Sequence, residues 1–152
     1  MNEITIDTSR LKLPDTDRIR DVFRAVRAEL LPEAGDQLLS AVTTSFSASG
    51  IQSRTGKVLS WQQKHVKKGY AAVRPQDRPT GKNGPGAITN YLESGHKIRR
   101  PSGKDRQYRP RINKAKVLGF RFYKTAASQA EKLAEDLGQR MAEEIAARRE
   151  DL

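Results

Sequence analysis

Residues 119–149, GFRFYKTAASQAEKLAEDLGQRMAEEIAARR, decide how this chain folds. The stretch contains no proline. Phe122, Ala126, Ala130, Leu133, Leu137, Met141 and Ile145 recur at spacings of three and four, which sets them on one stripe of an α-helix. Glu131, Glu135, Asp136, Glu143 and Glu144 alternate with Lys132, Arg140, Arg148 and Arg149, the pattern of a solvated face with salt-bridge partners. At 1.5 Å per residue, a helix of roughly 25–30 residues is about 40–45 Å long. A small globule does not cover that length alone, so the helix must pack along a neighbour, in this chain or another.

Working outward, Ile19, Val22, Phe23, Val26 and Leu30 also fall at helical spacing, behind a cap at Asp15 or Thr16. Arg18, Arg20, Arg24 and Arg27 are interspersed among them. Pro32 is expected to stop this helix or to open the next at its first position. Leu38, Leu39, Val42 and Phe46 mark a second amphipathic stretch, which Gly50 ends. Near the start, Ile4 and Ile6 alternate with polar residues up to Pro14, as in a short strand or arm. In the middle, Val58 to Trp61 reads as a short helix or turn. His65-Val66 and Tyr70 to Val73 read as two short strands joined near Gly69. Residues 78–86 are a loop, and 87–93 a short helix leading into Gly95. The expected class is α+β: a small antiparallel sheet packed by amphipathic helices, with a long C-terminal helix and extended loops. Residues 1–14 form an N-terminal arm, 15–149 a single α+β domain with a basic loop at 96–118, and 150–152 a tail.

Composition narrows the function. The chain has 152 residues, room for one domain, and with only 36% hydrophobic residues its core is modest. Twenty-nine lysines and arginines against 18 acids give a net charge of +11, which attracts polyanions or acidic proteins. Eleven of those cations lie within residues 96–124, where Asp105 is the one acid. Phosphate contacts there would come from Lys97, Arg99, Arg100, Lys104, Arg106, Arg109 and Arg111, with Tyr108 stacking or packing. No helix-turn-helix, zinc finger or other reader of base sequence is visible. The chain lacks cysteine, so disulfides and thiolate zinc sites are excluded. There is no apolar run long enough to span a bilayer. Residues 1–8 have neither the basic start nor the apolar middle of a signal peptide.

Catalytic patterns are missing. His65 and His96 have no partners at ligand spacing beyond Glu93, three residues before His96, whereas a metal needs three or four converging ligands. Glu93-Ser94-Gly95-His96 lacks the first glycine of a nucleophile elbow. Arg54-Thr55-Gly56-Lys57 matches only the tail of a phosphate loop, because Ile51 stands where a glycine is required. The sequence therefore points to no enzyme, no metal and no cofactor.

The order of the pieces resembles a known family. An amphipathic helix over 32–46 precedes Arg54-Thr55-Gly56-Lys57-Val58-Leu59-Ser60-Trp61. Two short strands follow, then Ile88-Thr89-Asn90-Tyr91-Leu92-Glu93-Ser94-Gly95-His96. A variable loop leads to Gly119-Phe120-Arg121-Phe122-Tyr123-Lys124-Thr125-Ala126 and the long helix. Over about residues 32–148 this resembles the tail-completion or neck proteins of long-tailed bacteriophages and prophages. The matching positions are Thr55, Gly56, Leu59, Tyr91, Glu93, Gly95, Phe120 and Phe122. His96 stands where the family carries threonine, and Gly119-Phe120-Arg121-Phe122 replaces a proline-phenylalanine opening of the last helix.

The resemblance implies a non-enzymatic virion component at the head–tail junction, made in the bacterial host cytoplasm. It implies a homo-oligomeric ring, a hexamer by family habit, that meets the tail tube or tail terminator and the head-closure proteins. Loops at 75–86 and 96–116 would reach neighbours, while Trp61, Tyr91 and Phe122 would fix the core. The basic loop would touch an acidic neighbour or the DNA in the channel. A tail terminator and a free-standing, non-specific nucleic-acid-binding protein are the alternatives. A regulatory module dimerised by its C-terminal helix is a third, without a DNA-reading element.

Overall fold

The computed structural model describes residues 3–7, 17–98 and 115–150. Strand β1 (Ile4–Asp7) is followed by helix α1 (Asp17–Ala48) and a short helix α2 (Lys57–Ser60). Next come strands β2 (Gln62–Lys67) and β3 (Tyr70–Pro75), then helix α3 (Pro85–Ser94). Strands β4 (Gly95–Lys97) and β5 (Lys116–Leu118) and helix α4 (Phe122–Glu150) complete the chain. The fold is α+β with a small antiparallel sheet and a long C-terminal helix, as the patterning predicts.

The three-stranded sheet has the order β1-β3-β2, antiparallel throughout. The β2–β3 hairpin turns at Lys68-Gly69, between the paired residues Lys67 and Tyr70. Ile4 and Ile6 pair with Val73 and Ala71 on one face of the sheet, and all four side chains join the core. Residues 4–7 of the expected arm are thus an edge strand whose period-two alternation buries every second side chain. The two long helices cover this face, α1 over β2 and β3, and α4 over β1.

The neighbour that the long helix requires is α1. The two run antiparallel. Near one end the ring of Phe46 meets that of Phe122 edge-to-face at 5.1 Å. Further along, Arg140 forks onto Glu33 with two bonds of 2.8 Å, and Arg148 forks onto Glu29 at 3.1 and 2.6 Å. These arginine hydrogen bonds hold the Glu29 and Glu33 carboxyls below their ordinary pKa and raise those of Arg140 and Arg148. The pairs are half exposed, so they set the register of the helices more than they add stability. Burial of the apolar stripe holds the pair together. Phe122, Ala126, Ala130, Leu137 and Met141 are buried, with Leu133 and Ile145 partly so.

Three expectations need correction. Pro32 neither ends nor begins a helix, because α1 runs through it for 32 residues. An internal proline removes one hydrogen bond and costs about 3 kcal/mol. Here Pro32 and Ala28, whose carbonyl loses its partner, both face solvent, so water replaces the missing bond. On the other face Val26, Leu31, Ala34, Leu38 and Val42 continue one buried stripe across the proline. Each large side chain in it is worth about 1.5–3 kcal/mol, which outweighs the local penalty. Second, the ends of the basic segment are not irregular. They pair as the β4–β5 ribbon, Gly95 with Leu118 and Lys97 with Lys116. Third, Tyr91 does not fix the core. It is 42% exposed, while Phe122 is fully buried and Trp61 partly buried.

Candidate interaction surface

The family-like residues near 91–95 and 120–122, some 30 apart in sequence, converge on one junction between α3 and α4. Helix α4 begins at Phe122 after Arg121, which holds a left-handed φ of 56° and supplies no cap. The first N–H groups of any helix lack partners inside it. Glu93, buried on α3, provides them. Its Oε2 accepts the Tyr123 N–H at 2.8 Å and its Oε1 the Lys124 N–H at 3.0 Å. A carboxylate at that position also meets the positive end of the helix dipole.

The exchange is reciprocal. The carbonyls of Leu92 and Glu93, left over at the C-terminus of α3, accept the N–H groups of Phe120 (2.7 Å) and Arg121 (3.1 Å). Glycines permit this crossing of main chains. A Cβ on Gly119 would lie 2.0 Å from the Glu93 carbonyl oxygen, and one on Gly95 2.2 Å from that of Val117. Gly95 also takes φ 75°, a conformation that disfavours a side chain.

A buried polar chain ties this junction to the sheet. The Tyr123 hydroxyl donates to Gln62 Oε1 at 2.5 Å. Gln62 Nε2 donates to the Val58 carbonyl at 2.8 Å and to Thr89 Oγ1 at 3.2 Å. Burial, with the nearby Glu93 carboxylate, pushes the Tyr123 phenol well above its ordinary pKa. Each of these groups is occupied by another, which suits a rigid frame. Thr55, Gly56 and Leu59 belong to the same neighbourhood through α2. Gly56, at φ 64°, precedes α2, exposed Thr55 lies before it, and Leu59 packs against the core.

The outward side of the junction is a surface of another kind. Leu118 is 78% exposed, and Phe120, Tyr91 and Val117 are each about 40% exposed. The Tyr91 ring lies 5.4 Å from that of His96. Exposed Lys97 and Lys116 pair across the ribbon. Ile98 N–H donates to the Ala115 carbonyl at 3.0 Å, which brings together the two ends of the basic segment. Of the sequence-predicted contact residues, Lys97 lies in β4. Arg99, Arg100, Lys104, Arg106, Arg109 and Arg111 lie outside the described residues.

Sequence reasoning missed Gln62, Thr89, Tyr123, Gly119 and Leu118. Gln62 and Thr89 carry no local signal, because only their partners elsewhere in the chain make them buried. Gly119 stands at the head of the stretch read as helical, and nothing local marks its contact with Glu93. His65 lies in β2, where its Nδ1 faces Arg74 at 3.4 Å. Among the described residues no group of three His, Cys, Asp or Glu could hold a metal ion, and no helix is long and apolar enough to cross a membrane. Comparison with protein-family models, with curated proteins and with solved structures found no match to the chain.

Proposed function

We propose that this chain is a structural adaptor of a bacteriophage virion: a neck or tail-completion protein that joins tail and head-closure proteins and works as a homo-oligomeric ring without catalysing a reaction. One observation carries the reading. The residues that resemble the family's motif divide between a rigid junction and the surface it presents. Glu93, Gly95 and Phe122 build the junction, and Tyr91 and Phe120 are turned outward beside Leu118. Exposed apolar side chains grouped around a cationic ribbon are what a docking surface requires. A ribbon of two three-residue strands is marginal alone, so its attachment to the α3–α4 junction is what keeps it in place.

The ribbon and the basic segment between its strands meet an acidic protein neighbour, with apolar contacts from Leu118 and Phe120 at the centre and cations at the rim. In a phage encoding this chain, deletion of residues 99–111, or Leu118→Asp with Phe120→Ser, yields filled heads and finished tails that do not join. Normal infectious particles from these variants refute the reading. The concentration of cations in 96–124 favours a second reading, non-specific binding to nucleic acid. That reading predicts duplex affinity whose log–log salt slope is roughly 0.9 per phosphate contacted. It is rejected if purified protein fails to shift DNA at low salt.

A further inference from the structure

A second surface lies away from the ribbon. Between α1 and β2 runs a groove of about 880 Å³ with Arg24, Arg27, Lys67 and Lys68 along its rim and Ala28, Leu31 and Val66 lining it. Leu31 is buried, and Val66 is 37% exposed. Arg24 is shared with Asp21 at 3.2 Å, and the Arg27 guanidinium sits 5.3 Å above the Phe23 ring. Lys67 and Lys68 form no ion pair among the described residues. Cations around exposed apolar side chains match an acidic protein segment better than a nucleic-acid backbone, which has nothing to place against Ala28 and Val66.

The same chain carries a complement. On α4, Glu131 and Glu135 are exposed one turn apart and form no ion pair among the described residues. Gly138 and Ala142 continue the same face, at seven and eleven residues from Glu131, and are small enough to let a helix approach closely. Within one molecule the two surfaces cannot meet. In the sheet order β1-β3-β2, α4 lies over β1, while the groove opens beside β2 at the other edge.

We propose that the groove between α1 and β2 receives the outer, acidic face of α4 from a second copy of this chain. The contact is head to tail, with its two halves on opposite flanks, so it repeats from copy to copy and closes into a ring where the rotation permits. It names the subunit contact of the assembly proposed above, and it rests on the self-association in that reading.

The test uses purified full-length protein and sedimentation across a concentration series at low and high salt. The wild type self-associates, less so at high salt. Arg27→Glu with Lys68→Glu, or Glu131→Lys with Glu135→Lys, weakens association by about tenfold or more while the circular dichroism spectrum stays unchanged. Mixing the two variants restores association, because each now offers the charge the other lacks. A wild type that stays monomeric at every concentration overturns the proposal, and so does either variant assembling like the wild type. Loss of duplex binding in the groove variant, with assembly intact, overturns it in favour of nucleic acid. Failure here leaves the head–tail joining assay of the ribbon variants unaffected, so the two readings fall separately.

Discussion

Glu93→Ala is the most informative perturbation of this fold. The carboxylate stands in for the missing N-cap of α4, and its loss leaves two main-chain donors without acceptors. The Tyr123 N–H is buried, so stranding it costs about 1–3 kcal/mol. The Lys124 N–H is only partly buried and regains water, so its loss is nearer the lower end of the ~0.5–2 kcal/mol measured for caps. Together the cost is about 3 kcal/mol, a large share of the roughly 5–15 kcal/mol that holds a domain folded. In thermal unfolding each kcal/mol is about 2–4 °C for a chain of this size, so the midpoint falls by about 6–12 °C. Glu93→Gln keeps the volume and one acceptor oxygen, and loses about half as much. Amide exchange at Tyr123 and Lys124 rises in both variants, which a general loss of packing would not confine to those positions. Gln129→Ala, at an exposed position of the same helix, stays within about 0.5 kcal/mol of the wild type. A cost for Glu93→Ala no greater than that for Gln129→Ala refutes the capping role.

Other perturbations test neighbouring parts of the frame. Tyr123→Phe strands the Gln62 carbonyl and costs about 1–2 kcal/mol in urea unfolding. In the native protein Tyr123 stays protonated at about pH 11, where free phenols ionise, so Tyr123→Phe leaves the tyrosinate absorbance at that pH unchanged. Gly95→Ala and Gly119→Ala each drive a methyl group into main chain and cost more than about 3 kcal/mol, read as a fall in the melting midpoint. Acid titration tests the two arginine forks. Glu29 and Glu33 are depressed below 4.5, so their stabilisation is complete above that pH and lost as pH falls through the lower folded values. The double variant Arg140→Met, Arg148→Met shows a flatter fall of stability over that acid range than the wild type.

What the sequence disclosed divides along physical lines. The stripe from Phe122 to Ile145 was legible because a 3.6-residue period over seven apolar positions has no other reading. Ile4 and Ile6 were legible in the same way at period two. Pro32 was misread because a local rule about one missing hydrogen bond competes with a burial stripe, and only the fold shows that the proline faces water. The β4–β5 ribbon left no trace, since strands of three residues show no alternation. At the candidate surface, Glu93 and Gly95 were identifiable through resemblance alone. Their roles depend on Gly119 and Tyr123, about 25–30 residues later, and no window of local sequence contains both. The groove is less legible still, because it joins Arg27 to Lys68 across the packing of α1 on β2.

The cations of the chain are divided along the sequence, and those of the groove, on α1 and at the β2–β3 turn, lie outside residues 96–124. Had the +11 been spread evenly, it would act as a general attraction to polyanions. Instead, eleven cations fall within residues 96–124, four line the groove, and Arg140 and Arg148 are taken up by Glu33 and Glu29. Separate placement predicts separable behaviour. Reversing the groove charges should change how copies meet one another and leave the ribbon's partner bound, while deleting residues 99–111 should do the reverse. A single polyanion site would tie the two effects together, so the independence of these phenotypes distinguishes an adaptor with two protein interfaces from a chain whose cations all serve one ligand.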